Sequence, residues 1–117
     1  MSKHQLFPES ELEPGGMREV TVGPTSFVIM RTRAGDLHAL RNRCPHMGAK
    51  LSDGFFKQKI VADAVGCPRL DDREYVAICP WHGFEFSPET GECSADPRTR
   101  VRSYKVTVED DMIVLDR

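Results

Sequence analysis

Hydrophobic positions in this chain recur in short runs with the period of two expected of β-strands. Nowhere do they hold the period of a long amphipathic helix. Residues 102–108 alternate well, with Tyr104, Val106 and Val108 on one face and Lys105 and Thr107 on the other. Asp110-Asp111 then turns the chain, and residues 112–115 close a terminal hairpin. Near the start, the run 19–22 is followed by Gly23-Pro24 and a second strand-sized run, 27–31. Ala34-Gly35-Asp36 predicts a tight turn into 37–41, which makes these last two runs a hairpin. The only helical expectation is a single turn in Pro8-Glu9-Ser10-Glu11-Leu12, and the residues before it read as a tail.

The middle of the chain breaks this rhythm. From Asn42 to about Gly91 it is rich in Cys, His, Gly and Pro. The predicted organisation is one domain over 1–117, with a β framework from 1–41 and 92–117 and an inserted, loop-rich segment, 42–91.

A chain of 117 residues has room for a single compact domain. Its 39% hydrophobic and 29% charged content is ordinary for a globular protein. A formal net charge of −2 argues against a nucleic-acid surface and carries no other information about partners. No apolar run is long enough to span a bilayer, and Met1-Ser2-Lys3-His4-Gln5 opens no signal peptide. The expectation is a cytoplasmic protein without membrane contact. In that reducing setting cysteines are read as thiols or metal ligands before disulfides.

Two clusters stand out: Cys44-Pro45-His46-Met47-Gly48 and Cys79-Pro80-Trp81-His82-Gly83. Each sets a thiol and an imidazole two or three residues apart on a bend shaped by Pro and Gly. One thiolate and one neutral imidazole per loop suit a mononuclear zinc site or a mixed-ligand [2Fe–2S] cluster. Zinc fingers usually pair like with like within a loop. One of each per loop is what a dinuclear cluster with two cysteines on one iron and two histidines on the other uses.

The two boxes resemble those of the Rieske family. So do Asn42-Arg43 before the first box, Leu51-Ser52-Asp53-Gly54 after it, and Phe84-Glu85-Phe86 with the turn Pro88-Glu89-Thr90-Gly91 after the second. The similarity covers nearly the whole chain and is greatest to the small Rieske ferredoxins of bacterial oxygenase systems. The resemblance implies an all-β fold, an antiparallel β sandwich carrying a smaller rubredoxin-like cluster-binding subdomain. It implies one [2Fe–2S] cluster, with Cys44 and Cys79 on one iron and His46 and His82 on the outer iron. It further implies no catalytic residues, and a low-potential one-electron carrier between a flavin-dependent ferredoxin reductase and a terminal oxygenase, both separate chains. A small subunit of a larger reductase or oxygenase complex, a redox sensor and a structural zinc module stand as alternatives.

High-potential members of the family carry a disulfide between the two boxes. Here Ala49 and Trp81 occupy those places, and Phe84 and Phe86 stand where a serine and a tyrosine donate hydrogen bonds toward sulfur. Fewer donors imply a potential near the bottom of the Rieske range, on the order of −150 mV. The interval between the boxes is long, with a surplus at about 55–75. It is read as an extended solvated hairpin rather than a flap over the cluster, because loop-closure entropy rises slowly with length. Cys67 and Cys93 are read as plain thiols, His4 and His38 as surface or packing residues, and Trp81, Phe84 and Phe86 as a hydrophobic cover over the cluster.

Overall fold

A computed structural model describes residues 3–45, 48–62, 66, 68–81, 83–96 and 98–117, and for 61, 62 and 68–73 the backbone alone. His46, Cys67 and His82 therefore lie outside the described residues. The architecture is all-β, with two antiparallel sheets.

The larger sheet has six strands: β1 (Lys3–Pro8), β2 (Met17–Val22), β3 (Thr25–Arg31), β4 (Leu37–Arg41), β8 (Ser103–Glu109) and β9 (Met112–Asp116). Their spatial order is β1-β9-β8-β4-β3-β2. Between β4 and β8 the sheet is held by only two residue pairs, Ala39–Tyr104 and Leu40–Ser103. Its two halves fold over a shared core of Phe7, Leu12, Phe27, Ile29, Ala39, Ile113 and Leu115. Phe27 meets Tyr104 edge-on, with ring centroids 4.9 Å apart. At the open end the Arg117 guanidinium donates to the Val22 carbonyl and the Thr25 hydroxyl, which ties β9 to the β2–β3 turn. The β8–β9 turn needs two left-handed residues, and Asp110 and Asp111 adopt φ of 53° and 63°.

The smaller sheet contains β5 (Phe55–Ala62), β6 (Pro68–Ile78) and β7 (Glu85–Phe86), in that order. β5 and β6 form a long hairpin whose register slips between Gln58 and Ile60. Opposite the single residue Lys59, β6 carries the four residues 71–74, a bulge that takes up extra chain without breaking the pairing. The surplus in the sequence is thus a paired hairpin, with Ile60 70% exposed.

β3 lies between two cores, which explains why Phe27-Val28-Ile29-Met30 is apolar at every position. Phe27 and Ile29 face the core inside the larger sheet, while Val28 and Met30 face a second core shared with the smaller one. All four are fully buried. The second core also takes Leu40, Leu51, Ala77, Phe86 and Val101, together with Cys44, Cys79 and Cys93.

The N-terminal segment departs from the sequence reading. Lys3–Pro8 is a strand on β9, with His4 opposite Leu115, rather than a tail. The single helical turn follows it at Glu9–Glu11. His38 is half-buried in β4. Burial lowers its pKa from the ordinary value, against the opposing pull of Glu89 and Asp36.

Candidate metal centre

The two boxes fold into loops of the same form. In the first, the Gly48 N–H donates to the Cys44 carbonyl (2.8 Å) and the Cys44 N–H donates to the Ala49 carbonyl (2.7 Å). In the second, the Gly83 N–H donates to the Cys79 carbonyl (3.2 Å) and the Cys79 N–H to the Phe84 carbonyl (2.9 Å). Each cysteine thus bonds to the residues four and five positions on. Each loop closes through a glycine in the left-handed region, φ 75° at Gly48 and 70° at Gly83, where a side chain would be strained. The loops have equal length although the histidine stands two residues after the cysteine in one and three after it in the other. His46 and His82 fall inside these closures, but their own placement lies outside the described residues.

The cysteines are buried, at 1% exposure for Cys44 and 2% for Cys79, and they line one continuous core. A pair of soft sulfur donors at the base of two matching loops, away from water, fits a thiolate-bound iron of a [2Fe–2S] cluster. Cys93 is equally buried but sits on an isolated bridge to Phe86 as a free thiol, and its N–H donates to the Thr99 carbonyl, six residues on, so the loop after it has a different form. The aromatic residues divide in a way the sequence reading did not anticipate. Phe86 is fully buried in the core and so forms no lid, whereas Trp81 is 56% exposed. Phe84 is half-buried against the same core.

Asn42, 4% exposed, fastens the first loop to the larger sheet. Its side-chain nitrogen lies 2.8 Å from the Ser52 hydroxyl, 3.1 Å from that of Ser26 and 3.0 Å from the Glu19 carboxylate. Its oxygen accepts from the Ser52 N–H at 2.8 Å. Lys50 completes the group with an ion pair to Glu19 at 3.0 Å. The Ser26 hydroxyl, then Lys50, hold the Glu19 carboxyl below its usual pKa. Asn42→Ala leaves the Ser52 N–H without its acceptor, so a loss of about 2 kcal/mol in urea unfolding is expected.

Gly54 serves the second loop. A Cβ there would overlap the Ile78 carbonyl oxygen, and Ile78 is the residue before Cys79.

The Rieske [2Fe-2S] domain family matches residues 2–105. The chain belongs to this family. It is a Rieske domain, and the family implies one [2Fe–2S] cluster of Rieske type. Apoptosis-inducing factor 3 of Mus musculus is 29% identical to it over 106 residues, covering 90% of this chain and 15% of that protein. The Rieske domain thus spans a small part of such larger relatives. The ferredoxin component of the naphthalene 1,2-dioxygenase system of Pseudomonas aeruginosa is 28% identical, covering 91% of this chain and 86% of the ferredoxin. Among solved structures, a chain in the complex of reduced oxygenase and oxidized ferredoxin in carbazole 1,9a-dioxygenase superposes with a TM-score of 0.73. It is 25% identical and covers 97% of this chain and 91% of its own.

Sequence reasoning singled out the flanks Asn42-Arg43 and Leu51-Ser52-Asp53-Gly54 by likeness only. The structure of this Rieske domain supplies their physical roles, in the Asn42–Ser52 bonds and in the close approach at Gly54. It also places four arginines beside the first loop, by setting Arg41-Asn42-Arg43 against Arg100-Val101-Arg102 from far along the chain. No helix among the described residues is long and apolar enough to cross a membrane.

Proposed function

We propose that Cys44, His46, Cys79 and His82 hold the [2Fe–2S] cluster of this Rieske domain. The protein then carries single electrons from a flavin-dependent ferredoxin reductase to a terminal oxygenase, each a separate chain, in the cytoplasm. The observation that carries this reading is the pair of matching loops with their cysteines buried in one core. The naphthalene system ferredoxin, matched over most of its length, and the ferredoxin–oxygenase complex support the choice of partner.

When bound, the cluster supplies a one-electron couple, raised above all-cysteine clusters because neutral imidazoles replace two thiolates. The chain does the rest. Cys44 and Cys79 would hold one iron from positions only 1% and 2% exposed, and the loop glycines close the two loops that carry them. Core residues Leu51, Phe86 and Val101 keep the site rigid. Exposed Pro45 and Trp81, each next to or within a ligand box, bring the boxes to the surface where a partner meets them.

Anaerobic purification, with assay of iron, zinc and acid-labile sulfide and EPR of the reduced protein, tests the reading. Two irons and two sulfides are expected, with a rhombic signal coupled to histidine nitrogen. Voltammetry is expected to place the midpoint on the order of −150 mV. One zinc without sulfide would sink the proposal and leave a structural module. Partner affinity that changes with redox state, without onward transfer, would turn the carrier into a sensor.

A further inference from the structure

A groove of about 390 Å³ opens beside the first ligand loop, lined by Arg41, Arg43, Pro45, Arg100, Val101 and Arg102. The fold brings these arginines together from two segments, 41–43 and 100–102. Arg41 ends β4, and its N–H donates to the Arg102 carbonyl at 2.9 Å, so the two strands lie side by side. Arg100 stands two residues earlier, where it pairs with Glu92 in an isolated bridge. Arg43 folds back over the ligand loop, its Nε and Nη2 both 3.5 Å from where a Cβ on Gly48 would sit.

All four arginines are exposed, and among the described residues none forms an ion pair. Arg100 rests on the Thr90 carbonyl at 3.2 Å, and the Arg102 guanidinium lies 5.2 Å from the centroid of the Tyr104 ring. Those contacts orient the guanidiniums without cancelling their charge. Nearby Arg98, by contrast, is paired with Asp96.

The net charge of −2 gives no sign of this cluster, in which Glu92, opposite Arg100, is the neighbouring acid. β8 begins at Ser103 beside the arginines and ends at Glu109, whose turn continues with Asp110 and Asp111. Six residues of strand separate the two ends by about 20 Å. Glu9 is bonded to that same acidic turn through its N–H on the Asp111 carbonyl. The first ligand loop thus carries a local excess of positive charge, while the far end of β8 carries Asp110 and Asp111 beside the Lys3–Glu109 ion pair. Such an asymmetry orients a charged partner before contact and raises the rate of productive encounter.

We propose that this groove is the electron-transfer docking face of the protein and takes the acidic face of a partner protein. The proposal rests on the carrier reading given above. A small anion is a poorer occupant, because the guanidiniums are spread over two exposed segments rather than buried around one point. An extended acidic surface engages all four at once. It also comes to rest against Pro45, within the first ligand box.

Fluorescein-labelled octaglutamate, titrated against the cluster-loaded protein and read by anisotropy, tests the groove. Binding is expected to weaken with salt, and by about tenfold in Arg41→Gln/Arg102→Gln. Lys3→Gln/Lys105→Gln removes the same formal charge from β1 and β8, outside the groove, and is expected to leave binding nearly unchanged. Arg43→Gln/Arg100→Gln repeats the test should the first double variant fold poorly, with EPR and circular dichroism reporting integrity. In stopped flow, ferricyanide takes one electron from the reduced protein more slowly in the arginine variants, while hexaammineruthenium(III) takes it faster. Equal weakening by the arginine and lysine variants would overturn the proposal. So would displacement of the peptide by inorganic phosphate at far lower charge concentration than sodium chloride requires, which marks a small-anion pocket. A native protein without the Rieske EPR signal overturns the carrier reading instead, whatever the peptide does.

Discussion

Cys79→Ala is expected to abolish the Rieske EPR signal and to leave protein that binds neither iron nor sulfide in stoichiometric amount. A dinuclear cluster cannot keep its inner iron with one of two thiolates gone, and the buried core leaves no water to replace it. Metal binding is linked to folding, so the variant also forfeits the cluster's contribution to stability, a loss of more than about 5 kcal/mol in urea unfolding. Cys44→Ala behaves alike. The informative control is Cys93→Ala, because Cys93 and Cys79 are both 2% exposed and belong to the same core. Removing one sulfur from packing alone costs about 1 kcal/mol and leaves iron, sulfide and EPR intact. Loss of the cluster in Cys93→Ala, or its retention in Cys79→Ala, would show that the ligands are assigned wrongly.

Gly54→Ala is expected to destabilise the protein by about 3 kcal/mol and to speed the release of iron to a chelator. Gly54 follows the turn Leu51–Asp53, to which its N–H is bonded at 3.0 Å, and it precedes β5. Its Cα packs on the Ile78 carbonyl, and an added methyl would also lie 3.1 Å from Pro80 Cδ. The obstructing atom is backbone, so no rotamer change relieves it. β5 must instead move off β6 at the Phe55–Ile78 pair, which shifts Cys79 relative to Cys44. Gly23→Ala separates this effect from ordinary glycine cost. Gly23 has φ 60° and nothing within 4 Å of an added Cβ, so only the left-handed conformation is penalised, by about 1 kcal/mol. A Gly54→Ala protein as stable and as retentive of iron as Gly23→Ala would contradict the close approach.

What was legible in the sequence is what local chemistry can encode. The alternation in β8, the Asp110-Asp111 turn and the β3–β4 hairpin depend on neighbours a few residues apart, and the structure forms all of them. The ligand boxes were legible for the same reason, since Cys, Pro, His and Gly within five residues make a loop whatever surrounds it. β1 was not. Lys3–Pro8 carries little alternation, and its partner is β9, more than a hundred residues away, so its pairing has no local signature. Phe86 looked like a cover because its position in the chain is next to the second box. Whether an aromatic residue faces water or core depends on which face of β7 meets the second core, and the fold turns it inward. Asn42 and Ser52 are ten residues apart, and only the closed loop makes their bonds possible. The arginines show the limit most clearly. Summed along the chain, their charge vanishes into a net of −2, because a sum keeps no positions. Strand pairing between β4 and β8 sets the two arginine pairs side by side. By itself, then, the sequence determined the period of the strands, the turns and the candidate ligands. The tertiary structure decided which buried sulfurs share a core and where the charge collects, because both arise from contacts between residues far apart in the chain.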